Sequence, residues 1–358
     1  MKKTLIFIFM VTVLTFAMFS AVMGTKVLSE VRITTNDSDQ TQPAIYGDII
    51  VWRDNRNGNW DIYGYDLKTK TEFPICTARR QQTQPAIYGD IVVWSDRRNG
   101  TYYDIYGYNI KTKTEFAITS SNPSFSHDCN NPAIYGDIVV WEDTRSDSDD
   151  IWGYNLRTKE FFPVCVDGPG GFSQKQPKIY GDIVVWRDDR NGNNDIYGYN
   201  LKTKTEFPIC TAVRLQGQPV IYGDIVVWRD RRDGTNSDIW GYNLKTKTEF
   251  AITSDPNDTT DKTAPAIYGY IIAWEDPRNG NTDIYGYNLD TKQEFAITTD
   301  TFQQENPSVY CGRVVYQDNR NGNWDIYLSN LDVVCEEHKK SLPIDKILKI
   351  LEKNKNKK

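Results

Sequence analysis

Residues 43–77 read PAIYGDIIVWRDNRNGNWDIYGYDLKTKTEFPICT, and the turns in this stretch cut it into four short strands. Residues 44–46 are the first, closed by a tight turn at Gly47 and Asp48. Residues 49–53 are the second, and Asn57–Gly58 is a strong hairpin signal. Residues 61–67 are the third, and 68–70 turn into the fourth, 72–76. The second strand runs Ile49, Ile50, Val51, Trp52 without alternation. A sheet with one wet face would alternate. Burial on both faces is what blades stacked around a ring require.

The stretch recurs. Pro-x-(Ile/Val)-Tyr begins at Pro43, Pro85, Pro132, Pro177, Pro219, Pro265 and Pro307, at intervals of 42, 47, 45, 42, 46 and 42 residues. That is the period of a four-stranded propeller blade. The last unit has three strands, to residue 331, but no good match to EFAIT. The missing piece lies at the other end, where VRITT (31–35) stands before Pro43 as Ile75 stands before Pro85. The sequence therefore predicts an all-β, seven-bladed β-propeller of four-stranded antiparallel blades. The N-terminal strand 31–35 completes the last blade and removes the open sheet edge. An open solenoid would need caps that the sequence does not show.

A longer period overlies this one. Units one and four end FPICTA, two and five share a longer hairpin, and three and six share WED. A duplicated three-blade block plus one copy of a first blade accounts for the pattern, so recurrence alone is no sign of chemistry.

The units resemble the TolB-type β-propeller repeat, a WD-repeat-like family, across nearly all of residues 31–331. The likeness rests on Pro, IVVW, an Arg-Gly hairpin, DIYGYNL and a strand ending in Thr. YGDIVVWxDxRNGNxDIYGYNL is most similar to propeller repeats of archaeal cell-surface proteins. The resemblance implies a six- or seven-bladed fold with surface or periplasmic protein contacts, and no catalytic residues. TolB's own N-terminal domain has no counterpart, so its envelope role is not carried over.

The ends differ from the body. Residues 1–24 read as a signal peptide: Lys2 and Lys3 precede an apolar run to Met23, and Gly24 could precede the cleavage bond. An uncleaved anchor is the alternative, because the run is long enough to span a bilayer. The propeller is expected over 25–335. Residues 336–358 form a Lys-rich tail with Ile344, Ile347, Leu348 and Leu351 on one helical face. Docking on the propeller, self-association, contact with an acidic wall or membrane surface, and a solvated tail are its open readings. Two of the 42 basic residues precede residue 25 and eight lie in the tail, leaving 32 against 44 acidic side chains in the body. Such a body disfavours nucleic acid as a partner. The chain is expected to be exported, to the cell surface, periplasm or medium. Its membrane contact would run only through the N-terminal anchor or the basic tail.

An even cysteine count in an exported chain permits disulfides. Cys76, Cys165 and Cys210 fall at matching strand ends and read as packing thiols. Cys129–Cys165 and Cys311–Cys335 are the pairs considered. Asn36, Asn99 and Asn257 open glycosylation sequons.

Every unit carries Asp-x-Arg before its hairpin and Asp after it, as Asp54, Arg56 and Asp61 in the first and Asp318, Arg320 and Asp325 in the last. Calcium is one reading of so many carboxylates. An Arg between them in every copy, and spacing unlike DxDxDG, favour instead an Arg that bridges both Asp side chains and fixes the hairpin. No cofactor or metal is expected beyond that calcium alternative. The chain has only His127 and His338, too few for the multi-histidine site of seven-bladed pectin lyases, and no GxSxG, HExxH or P-loop. The repeated Trp and Tyr read as packing.

Departures from the repeat are better candidates for function. Before the second Asp stand Trp60, Tyr103 and Trp324 in blades one, two and seven, with Tyr102 beside Tyr103. These four are the candidate binding residues, on neighbouring blades of a closed ring. The long loops 120–131, 167–176 and 254–264 project on the same face as the hairpins, and loops on a rigid scaffold commonly carry recognition. The expectation is a non-catalytic scaffold that binds an envelope or surface protein. A carbohydrate-binding propeller or glycan-active enzyme is the alternative.

Overall fold

The computed structural model describes residues 24–119, 127–145, 148–166, 171–234, 236–253 and 258–335. Its strands form seven four-stranded sheets. Blade one consists of β2 (Gln40–Tyr46), β3 (Ile49–Asp54), β4 (Asp61–Asp66) and β5 (Thr71–Cys76), paired antiparallel in that order. Blades two to six repeat this order. Blade seven is composite: β26 (Gln304–Tyr310), β27 (Arg313–Asp318), β28 (Asp325–Leu331) and, outermost, β1 (Val27–Arg32). The chain closes its own ring.

Two strand boundaries differ from expectation. The closing strand spans 27–32 rather than 31–35. Glu30 lies opposite Ser329 as Glu72 lies opposite Tyr65, so SEVRIT is the counterpart of TEFPIC. At Ile33 and Thr34 two successive N–H groups converge on Ile326 O, which ends the ladder, as Ile118 and Thr119 do on Ile105 in blade two. The inner strand, for its part, starts at Gln40, not at residue 44. A register shift between Thr41 and Ala44 marks a bulge, with Gln42 at φ 54°. Pro43 sits in that bulge, where it removes no ladder bond.

The core lies between blades. Ile50 and Trp52 pack against Val315, Ile326 and Leu328 of blade seven, while Val51 packs against Val92 and Trp94 of blade two. Both faces of the second strand are therefore dry, as its unbroken apolar run requires. The glycine of DIYGYNL makes room for the phenylalanine of TEF: a Cβ on Gly107 would stand 2.4 Å from the Phe116 ring.

Cys311 and Cys335 form a disulfide. It pins the chain after β28 to the first turn of blade seven, where Tyr270 of blade six also donates to Val334 O. Cys129 and Cys165 are not paired. They are buried on opposite sides of blade three, one packed toward blade two and the other toward blade four. The N-terminal segment, the lysine-rich tail and Asn257 lie outside the described residues.

Candidate functional site

The repeated hairpin is a clasp, but not the one expected. Arg56 binds Asp54 at 2.6 Å and Glu72 of the fourth strand at 2.5 Å, rather than Asp61. Its guanidinium carbon lies over the Tyr63 ring, 4.3 Å from the centroid. The arginine thus ties the second strand to the fourth across the third. In all seven blades the Arg–Asp distance is 2.5–2.7 Å. Asp54 also accepts from Trp52 Nε1 at 3.0 Å and from the Arg56 amide. The second aspartate is held instead by amides: Asn57 and Asn59 both donate to Asp61 at 2.7 Å. Asn59 reaches on to the carbonyls of Ala78 and Arg80, fixing the loop to the next blade. Burial raises the Asp61 pKa against these donors. With Arg and Trp donors on the first aspartate, the cluster does not fit a calcium ion. Asn99 spends its amide on Asp104 and Tyr106, which leaves it unsuited to carry a glycan.

Two blades vary the clasp. In blade seven Glu30 of β1 takes the Glu72 role toward Arg320, so the closing strand is held by charge as well as by backbone. In blade three the glutamate position is Phe161, opposite Tyr154. There His127 stands 2.8 Å from Asp143, and Cys129 Sγ lies 3.8 Å from the same carboxylate. These three make the one group of potential metal ligands among the described residues. Asp143 is nevertheless occupied by Arg145 Nε, Arg145 Nη2 and Trp141 Nε1. Hydrogen bonds from Arg145 and His127, with their charge, outweigh burial and hold the Asp143 pKa at about 2. The arrangement serves better as a substitute clasp than as a metal centre.

Inside the ring, the N–H freed by each bulge is taken by a side chain of the preceding blade. Gln42 accepts from Gln84, Gln84 from Asn131, Gln176 from Gln218 and Gln218 from Ala264. In blades three, six and seven the acceptor comes from the second strand: Glu142 for Gln176, Glu275 for Asn306 and Gln317 for Gln42. These are the blades whose pre-proline residue is Asn131, Ala264 or Asn306 instead of glutamine. Below this tier, seven tyrosines from Tyr46 to Tyr310 form an unbroken circle with ring centroids 4.5–4.9 Å apart.

The four sequence-predicted binding residues stand on the hairpin face. Tyr102 is 47% exposed, and Trp60, Tyr103 and Trp324 are half-buried. Arg53 lies 4.1 Å over Trp60, and Tyr103 donates to Gln81. Among the described residues no ring contact joins these aromatics to one another. They occupy equivalent places on three blades rather than one continuous patch. Their shared structural duty is done by backbone: Trp60 O accepts from Gln82, Tyr103 O from Cys129 and Trp324 O from Gln40, each of the next blade. Further apolar side chains are exposed on this face: Phe172, within the loop 167–176 that the sequence pointed to, and Val166, Val213, Leu215 and Phe302, which sequence reading missed. All lie between a fourth strand and the next blade, a signal that was available in the sequence.

No family model matches the sequence, and no curated relative matches it. Solved structures show the fold. An oligogalacturonate lyase from Vibrio parahaemolyticus superposes with a TM-score of 0.64 at 11% identity, over 86% of this chain and 96% of that one. The β-propeller domain of the Trilobed protease from Pyrococcus furiosus does so with 0.60 at 13% identity, over 83% and 94%. TolB from Acinetobacter baumannii gives 0.48 at 13% identity, over 76% of this chain and 60% of that one.

Proposed function

We propose that this chain is an exported interaction scaffold that binds another envelope or surface protein through its hairpin-and-loop face. One observation carries the reading. Nine large apolar side chains are exposed among the described residues, and six of them project from that face: Tyr102, Val166, Phe172, Val213, Leu215 and Phe302. Exposed apolar groups gathered on one side of a polar body are what a partner buries. The apolar run behind Lys2 and Lys3 supports export.

The alternative is a carbohydrate-binding or glycan-active propeller, favoured by Trp60 and Trp324, since half-exposed indole faces suit sugar rings. A glycan array read with and without calcium, beside a pull-down from an envelope fraction, separates the two. Saturable capture of one envelope protein supports the scaffold; saturable binding of one sugar class supports the alternative and contradicts the scaffold.

A further inference from the structure

The channel of the ring is built in tiers. Nearest the hairpin face stand the pre-proline amides Gln42, Gln84, Asn131, Gln176, Gln218 and Asn306, and at the turn face the tyrosine circle. Between them each inner strand offers one small side chain, as Ala44, Ala86, Ala133, Val220, Ala266 and Ser308 do. Blade four alone departs, with Lys178. It lines two hollows of about 280 and 330 Å³ that share the prolines of the ring. The side chain is half-buried among the inner strands and open to the lumen, and among the described residues no hydrogen bond or ion pair engages its Nζ. Burial lowers its pKa, and the charge of Glu142 opposes this. Glu142 in turn accepts from the Gln176 amide.

A second departure adjoins it. In blade one Arg53 donates to Thr83 Oγ1 of the next blade. The counterpart pair in blades four and five is Arg187 and Gly217. Glycine offers no hydroxyl, Lys175 stands where blade one has Thr41, and among the described residues no hydrogen bond or ion pair engages Arg187; a hollow of about 160 Å³ opens between the blades. Arg187, Arg229, Arg231, Gln176 and Gln218 line it. The two amides also line the channel mouth. Arg229 donates to Ser237, and Asp261 lies 3.8 and 4.0 Å from Arg229 and Arg231, so these two are partly compensated.

We infer that Lys178 and the Arg187 hollow are two ends of one binding site for a small polycarboxylate, entered from the hairpin face. Cationic groups without partners, in a body where acidic side chains outnumber basic ones, mark an anion site. A carboxylate suits the channel end better than a phosphate does. One ammonium neutralises one charge, and a second charge among alanines and tyrosines would be left uncompensated at low dielectric. The Nε2 groups of Gln176 and Gln218, whose Oε1 atoms already accept backbone N–H groups, supply neutral donors between the ends.

The sister blades provide the test. Lys178→Ala installs the residue of blades one, two, three and six, and Gly217→Thr installs that of blades one and two, so neither should unfold the ring. Citrate binding is measured by titration calorimetry on the full chain, with propionate as the one-carboxylate control. The site predicts one citrate per chain, binding about tenfold weaker or more in each variant, and propionate weaker than citrate. Absence of citrate binding by the native chain overturns the inference. So does unchanged binding in either variant whose melting temperature matches the native one.

Discussion

The two faces of the ring are built from the same strands but under different constraints. On the turn face, Tyr-Gly-Asp and Lys-Thr-Lys recur with few changes, and the circle of tyrosines demands the same ring from every blade. On the hairpin face, the residue before the second aspartate is Trp60, Tyr103, Asp149, Asn194, Ser237, Thr282 or Trp324. That position links its blade to the next in all seven cases, through its carbonyl oxygen. Any residue has that oxygen, so the side chain is free to differ. On the turn face a ring does the joining and the repeat is constant; on the hairpin face the backbone does it, so the repeat can vary and recognition has room to evolve there.

Breaking the constant part should have the largest effect. A chain lacking residues 24–36 loses β1, its ladder on β28 and the Glu30–Arg320 pair. It should not melt as one cooperative ring, and calorimetry would show a broadened transition far below the native one. Arg56→Ala comes next. It leaves the wholly buried Asp54 carboxylate with only the Trp52 and backbone donors, and should cost about 3 kcal/mol in denaturant titrations.

The inner tier sharpens the comparison at a smaller scale. Gln176→Asn withdraws the acceptor for Gln218 N–H and should cost about 1–2 kcal/mol. Adding Arg187→Glu, the arrangement of blade three, should restore most of it, because Glu142 satisfies the same N–H there. A double-mutant cycle reads this as a coupling energy, and additive losses would refute it.

Blade three should also differ in acid. Asp143 is held at about 2, below its ordinary 3.8. Its contribution is therefore complete above pH 3.8 and is lost as pH falls toward 2. The stability gap between the native chain and Asp143→Asn should narrow over that window. A gap independent of pH would count against the charged clasp.

Much of this was legible in sequence. The seven prolines and the stray VRITT fixed blade number and closure, because a four-stranded blade leaves a regular period. The clasp was half read. Adjacency in sequence suggested Asp61 as the second partner of Arg56, whereas pleating brings Glu72 to it across the tyrosine ring. The bulge was missed because a proline reads as the start of a strand, and nothing local shows that Gln42 turns to φ 54°. The exchange between pre-proline glutamine and second-strand Glu or Gln was written in the repeats, yet it gains meaning only once neighbouring blades are seen to share a hydrogen bond.

The smallest expected effect on stability, and the most direct test of the account, is on the varied face. Tyr102→Ser, Phe172→Ser and Leu215→Ser are combined in one chain, and Lys68→Glu with Lys202→Glu on the opposite face in another; both are measured for melting temperature and for binding to the captured partner. The account predicts native melting in both chains and loss of binding only in the first. Native binding by the first chain, with loss in the second, would contradict it.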